Sequence, residues 1–265
     1  MKYIKNFSRL VIFLLAGFPI TMELIARPGT VESTAASGFS PSNDSLRVGN
    51  VMTASQHLLK KIQVEMIPSL SPDSTKNKVT ALSKELKAIL DRAKINFPDT
   101  SKIAFAKLDL TKGKIFLEME RKVNQIRKSL PEKSEWYQQV AKAYVIFNKA
   151  SQEMNLNSKK PFLATYDEPY DPNTSRNHQV KLLGAYLNFD LEYRINVGGM
   201  ELGPDIVDPE RVVFTFPDKL LDTLTVPTYI PVRASPVMQT GSGKTAKTEP
   251  YQEQTIQLLV LPKKK

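Results

Sequence analysis

The sequence predicts an α+β protein in which an N-terminal antiparallel helical bundle is followed by an antiparallel β-sandwich-like domain. Two observations predict this class. Apolar residues recur every three or four positions up to about residue 157, as on a helix face, and later alternate with polar residues, as along a half-buried strand. The net charge is also uneven: residues 51–160 carry 21 basic and 11 acidic residues, whereas residues 161–265 carry 11 and 13. We therefore predict a basic helical domain over residues 50–157 and a β-rich domain over residues 158–265.

Residues 1–26 predict a secretory signal peptide or an uncleaved signal-anchor. Three basic residues precede an apolar run over residues 10–22, which Glu23 interrupts. A run of about 13 residues is typical of a signal core and is shorter than the roughly 20 that span a bilayer. Cleavage after Ala26 or retention of residues 10–26 as an anchor both predict a periplasmic, secreted or envelope-associated protein. A buried helix of a cytosolic protein is the remaining interpretation.

Residues 27–49 predict a flexible linker, because they are rich in Ser, Thr, Gly and Pro and lack periodic apolar positions. At about 5–6 Å × √n, such a linker reaches roughly 25 Å. The whole chain has a globular composition, with 41% hydrophobic and 24% charged residues, and it has no cysteine. This excludes disulfides, iron–sulfur clusters, Cys nucleophiles and Cys zinc sites. We expect no cofactor.

The helical domain is predicted to hold four or five amphipathic helices joined by short loops. The first begins at Asn50 and ends near Pro68, and the second follows Ser71 and stops at Pro98, since proline interrupts helical hydrogen bonding. Their apolar faces are Val51, Ser55, Leu58, Ile62 and Met66, then Val79, Leu82, Leu86, Ile89 and Ala93.

The second half of this domain is less regular. Residues 99–120 fit either a helix or a hairpin, because an alternating stretch at 104–110 precedes a possible turn at 111–114. A capping-box pattern from Ser129 to Glu132 predicts the start of the last helix. The apolar faces are Phe116, Met119, Val123, Ile126 and Leu130, then Trp136, Val140, Ala143, Phe147, Ala150 and Met154.

The β-rich domain is predicted mainly from residues 187–197, which alternate apolar and polar side chains over eleven positions. Further strands are expected near residues 162–166, 180–185, 212–216, 224–232 and 255–261. A β-sandwich of about five to seven strands fits this pattern.

Two groups of charged residues are candidate binding sites. Carboxylates between two predicted strands are candidate calcium ligands, because calcium takes six to eight oxygens; they are Glu201, Asp205, Asp208 and Glu210. Paired basic residues on the predicted helices are a candidate anion-binding face for anionic lipid or nucleic acid; they are Lys60, Lys61, Arg121, Lys122, Arg127 and Lys128.

Residues 239–245, QTGSGKT, resemble a phosphate loop. Such a loop needs a following helix whose N-terminal amides hold the phosphates, and Pro250 leaves no room for a long one. We therefore expect a polar loop between two strands and no ATP at residues 241–245. The histidines, His57 and His178, are far apart, and there is no Gly-x-Ser-x-Gly motif.

These features favour a non-enzymatic exported or envelope-associated protein that binds or scaffolds protein partners. A structural component of a virus-like or secretion assembly, contacting nucleic acid or acidic partners, is an alternative. An exported hydrolase that uses carboxylates of the β-rich domain is a second alternative.

Overall fold

The computed structural model describes residues 46–98, 103–108, 110–154, 160–174, 179–187, 192–240, 247–250 and 252–264. The predicted signal segment and residues 27–45 of the predicted linker lie outside these ranges. Within them, no helix combines the length and apolar character needed to cross a membrane.

The chain is a mixed protein of helices and antiparallel sheets, so the α+β class is confirmed. Helix α1 (Val48–Lys61) continues through a π-helical turn (Ile62–Met66) into the short α2 (Ile67–Ser69). Three longer helices and one short helix follow in the described part of the chain; they are α3 (Asp73–Asn96), α4 (Leu110–Lys128), α5 (Glu135–Met154) and α6 (Asp218–Leu221).

The predicted apolar faces of the helices are mostly buried. All five members of the first face and all five members of the α4 face are buried, the latter at 0–4% exposure. Ser55, the polar member of the first face, is fully buried, and its hydroxyl donates to the carbonyl of Val51 at 2.7 Å. Leu82, Trp136 and Ala143 are half-buried. Helical periodicity therefore identified the interior side of each long helix.

Three helix boundaries differ from prediction. Helix α1 begins two residues before Asn50, and Pro68 lies inside the short α2, one residue before the helical segment ends at Ser69. Helix α5 begins at Glu135 rather than at the predicted box, because the Ser129 hydroxyl donates back to the Gln125 carbonyl at 2.7 Å and so caps the preceding helix. The Ser134 hydroxyl accepts the Tyr137 N–H at 3.1 Å and starts α5 instead.

The ambiguous stretch at residues 99–120 is helical in its second half. Helix α4 begins at Leu110, so residues 111–114 are helical and form no hairpin turn. Upstream, Ala104 forms an isolated antiparallel bridge with Arg47, and a 3₁₀ turn follows over Phe105–Lys107. The alternating pattern therefore corresponds to one bridge and a turn, because no neighbouring strand extends the pairing among the described residues.

The strands form two sheets. The first has the order β1-β2-β6-β5, and in the second β3 pairs with β4 and β7, while β8 and β9 both pair with β7. The pairings between the named strands of these sheets are antiparallel. The strands are β1 (Phe162–Tyr166), β2 (Gln179–Ala185), β3 (Glu192–Val197), β4 (Met200–Leu202), β5 (Ile206–Asp208), β6 (Arg211–Thr215), β7 (Thr228–Thr240), β8 (Lys247–Pro250) and β9 (Gln254–Val260).

The predicted strand at residues 187–197 is confirmed over β3, where Tyr193, Ile195 and Val197 are buried and Glu192 and Arg194 are exposed. Residues 188–191 lie outside the described part. The sequence pattern missed β4, β5 and β8, because three- or four-residue strands are too short to show an alternation. It also placed the end of β7 eight residues early.

The apolar interior contains two clusters. One gathers side chains of the long helices, and the other gathers side chains of both sheets, among them Leu182, Ile195, Phe214, Val232 and Leu258. Helix α5 contacts β1 and β2, and residues 44–265 form one compact unit. The division into two domains near residue 157 stays a prediction.

A buried hydrogen-bond network joins helix α5 to the strands. The fully buried Thr165 hydroxyl of β1 donates to the side-chain carbonyl of Gln138. The amide of Gln138 donates to the Gln257 carbonyl of β9 at 3.4 Å. Because buried polar groups without partners are costly, this network favours a single arrangement of helix and sheet.

Candidate functional site

The six basic residues predicted to form an anion-binding face fall into different environments. Lys122 points toward helix α3, where its ammonium forms an ion pair with Glu85, and it also donates to the Gln125 side chain at 3.0 Å. Its adjacent residue Arg121 is exposed. The sequence treated this pair as equivalent, but only one of the two is available to a ligand.

Arg127 is likewise engaged inside the fold. Its guanidinium carbon lies 4.4 Å from the ring centroid of Tyr144 and 5.9 Å from that of Tyr137, both on helix α5. Its Nη2 donates to the Asn124 side chain at 2.9 Å. A guanidinium over aromatic faces is a cation–π arrangement that stabilises the α4–α5 contact. Arg127 therefore has a structural role in this geometry.

The two tyrosines remain neutral beside this arginine. The Tyr144 hydroxyl donates to the carboxylate of Glu120, and burial, followed by the hydrogen bond and charge of Glu120, raises the pKa of Tyr144 strongly. Burial also raises the pKa of Tyr137, while the positive charge of Arg127 acts in the opposite direction. Glu120, Arg127 and the two rings thus form one connected cluster between α4 and α5.

We expect Arg127→Lys to lower the free energy of unfolding by about 1–2 kcal/mol, because lysine lacks the planar group that lies over the rings and donates to Asn124. Urea unfolding followed by circular dichroism measures this change. Arg121→Lys is the matched control, since Arg121 is exposed on the same helix and its replacement should change stability by less than about 0.5 kcal/mol. Equal effects of the two substitutions would contradict the structural role of Arg127.

The exposed side of α4 carries a line of basic residues. Lys114, Arg121 and Lys128 are seven residues apart in turn, and each is exposed. Residues at this spacing lie on one side of a helix, here about 10 Å apart. We call these three residues the basic stripe. None of them forms an ion pair or side-chain hydrogen bond with another residue of the described part of the chain.

The acidic residue next to the basic stripe, Glu118, already forms an ion pair with another residue of the fold. Glu118 lies between Lys114 and Arg121 on this side of α4, and its carboxylate accepts a hydrogen bond from Arg92 of α3 at 2.7 Å. The remaining position, Gln125, is uncharged. The stripe therefore presents net positive charge to solvent. Lys114 was missed from the sequence because no basic residue is adjacent to it, and its seven-residue spacing from Arg121 is the signal that identifies it.

The other two predicted basic residues lie on a different helix. Lys60 and Lys61 are the last two residues of α1, and the helical segment continues beyond them to Ser69. Lys60 is exposed and Lys61 is half-buried. They are not part of the basic stripe.

The four candidate calcium ligands each have a separate partner. Glu201 lies 3.7 Å from the Arg194 guanidinium, and Asp205 accepts from the Thr215 hydroxyl at 2.7 Å. Asp208 accepts hydrogen bonds from the backbone N–H groups of Glu210 and Arg211, and it forms an ion pair with the Arg211 side chain. The carboxylate of Glu210 lies 3.1 Å from the Lys149 ammonium.

No group of three or more acidic or histidine residues converges as possible metal ligands within the described ranges. The calcium site stays a prediction without a ligand cluster in this part of the chain. His57 is exposed on α1, and His178 lies outside the described residues.

The segment that resembles a phosphate loop lies between two paired strands. Thr240 ends β7 and pairs with Lys247, the first residue of β8, while residues 241–246 lie outside the described part. A phosphate loop is followed by a helix whose N-terminus holds the phosphates. Here an antiparallel strand follows at Lys247, which is the context predicted for a polar loop.

No protein-family model, curated protein or solved structure matches this chain.

Proposed function

We propose that the protein is a non-enzymatic, exported or envelope-associated binding and scaffolding protein. In this proposal, residues 50–157 form an antiparallel four-helix bundle and the two sheets form a β-sandwich. Contacts between α1 and α3, α3 and α4, α4 and α5, and α5 and α1 support the bundle, because they close a ring of four helices. The apolar cluster shared by both sheets supports the sandwich.

The basic stripe on α4 is the observation that carries the binding role. Lysine and arginine side chains on a helix surface are usually offset by nearby carboxylates, yet here the intervening Glu118 is engaged by Arg92. The three positive side chains of the basic stripe repel one another, and an anionic partner lowers this repulsion. The carboxylates proposed for hydrolysis or calcium binding, in contrast, are each engaged in separate local contacts.

N-terminal sequencing of the native protein after cell fractionation tests the export part of the proposal. We expect a mature chain that begins at Arg27 in an extracytoplasmic fraction, or an intact chain in the membrane fraction if residues 10–26 are retained as an anchor. An intact Met1 in the soluble cytosolic fraction would overturn it. Substituting Glu23 with leucine lengthens the apolar run and is expected to shift cleaved protein toward the membrane-bound form.

A further inference from the structure

We infer that the basic stripe of α4 binds the anionic headgroups of a lipid bilayer. This inference rests on the proposed function, because it names the partner of an exported or envelope-associated protein. Three separate features of the molecule lead to it: the straight spacing of the charges, the place where the chain enters the fold, and the engagement of the neighbouring charges.

The spacing of the basic stripe fits a flat surface. Lys114 and Lys128 are fourteen residues apart on one uninterrupted α-helix, which corresponds to about 21 Å along its axis. All three side chains are exposed on the same side. A straight row of long basic side chains can reach a planar layer of phosphates together while their aliphatic stems rest on the helix.

The described chain enters the fold near the N-terminal half of α4, on the buried side of that helix. The Leu46 carbonyl accepts the N–H of Phe105 at 2.9 Å. The ring of Phe105 lies 4.9 Å from that of Phe116, which is two residues after Lys114 and points to the buried side of α4. A helix with its side chains is about 10–12 Å across, so the predicted linker, with a reach of roughly 25 Å, joins the fold within reach of the stripe. A chain held in a bilayer by residues 10–26 can lay α4 on that same bilayer.

The neighbouring charges leave the stripe available for headgroups. Glu118 is engaged by Arg92, Glu85 by Lys122, and Glu120 by the hydroxyl of Tyr144. A basic residue near an anionic membrane surface contributes about 1 kcal/mol, so three residues alone give weak, reversible binding. Stable attachment commonly combines a hydrophobic anchor with a basic patch, and this chain carries candidates for both.

Vesicle sedimentation of the full-length chain at low salt tests the inference. The measured quantity is the ratio of partition coefficients for vesicles of equal parts phosphatidylcholine and phosphatidylglycerol and for vesicles of phosphatidylcholine alone. A hydrophobic N-terminus contributes to both coefficients, so the ratio reports the charged surface. We expect the triple variant Lys114→Gln, Arg121→Gln and Lys128→Gln to lower this ratio by roughly a hundredfold, since 1 kcal/mol corresponds to about fivefold per residue.

The matched control removes the same three charges elsewhere. Lys181→Gln, Lys219→Gln and Arg233→Gln change exposed residues on β2, α6 and β7, and we expect this variant to keep most of the wild-type ratio. Equal losses in the two variants would show a general effect of net charge and overturn the inference. Unfolding curves of both variants check that each is folded.

Two further outcomes are decisive. A wild-type ratio near one would overturn the inference, and so would a stripe variant that retains the ratio. If the stripe variant instead loses affinity for a DNA duplex while its vesicle ratio is unchanged, the partner is nucleic acid. The vesicle ratio does not depend on the cellular compartment, so failure of the lipid inference and failure of export, which N-terminal sequencing measures, are distinguishable.

Discussion

Phe116→Ala is expected to lower the free energy of unfolding by about 3–5 kcal/mol, the usual cost of removing a buried phenylalanine ring. Phe116 is 1% exposed at the centre of the helical cluster. Its ring centroid lies 5.2 Å from that of Phe97 and 4.9 Å from that of Phe105, with the latter pair edge to face. Alanine would remove both aromatic contacts and leave a cavity in the helical cluster.

Denaturant unfolding measures this loss, and Phe162→Ala provides the comparison. Phe162 is half-buried at the start of β1, and its ring centroid lies 5.4 Å from that of Tyr144. Phe162→Ala should lower the free energy of unfolding clearly less than Phe116→Ala, because the folded protein buries less of the apolar surface of Phe162. If Phe162→Ala costs as much as Phe116→Ala, the assignment of Phe116 to the centre of the core is wrong.

Gly184→Ala is expected to lower the free energy of unfolding by about 1–3 kcal/mol through overpacking. A Cβ atom at Gly184 would lie 2.1 Å from the Phe162 carbonyl oxygen and 3.2 Å from the Cα of Leu163. These are backbone atoms of the paired strand β1, so no side-chain rotation relieves the overlap. Strands β1 and β2, whose pairing already shifts register between Leu163 and Thr165, must therefore move apart.

Gly203→Ala is the control for this effect. A Cβ atom at Gly203 would meet no other atom within 4 Å, so alanine should be neutral or slightly stabilising. Thermal unfolding of the two variants side by side distinguishes the steric effect from a general preference for glycine. A Gly184→Ala protein as stable as the wild type would contradict the close approach of β1 and β2.

Helix faces were predictable from the sequence because burial on a helix repeats at a fixed period. Val51, Leu86 and Val123 were assigned to the interior from spacing alone, and all three are 0% exposed. Helix ends were less predictable because several serines compete as caps. Ser129 and Ser134 both precede suitable residues, and only the finished backbone shows that the first closes α4 and the second opens α5.

The basic stripe likewise has features that the sequence predicts and features that only the folded structure decides. By itself, the sequence determined that α4 is basic, since it carries six basic and two acidic residues, and that its apolar side faces the core. It could not decide which member of each adjacent basic pair is free. A helix turns about 100° per residue, so Arg121 and Lys122, or Arg127 and Lys128, point in different directions. Only the positions of α3 and α5 determine that Lys122 meets Glu85 and Arg127 meets Tyr144, which leaves Arg121 and Lys128 facing solvent beside Lys114.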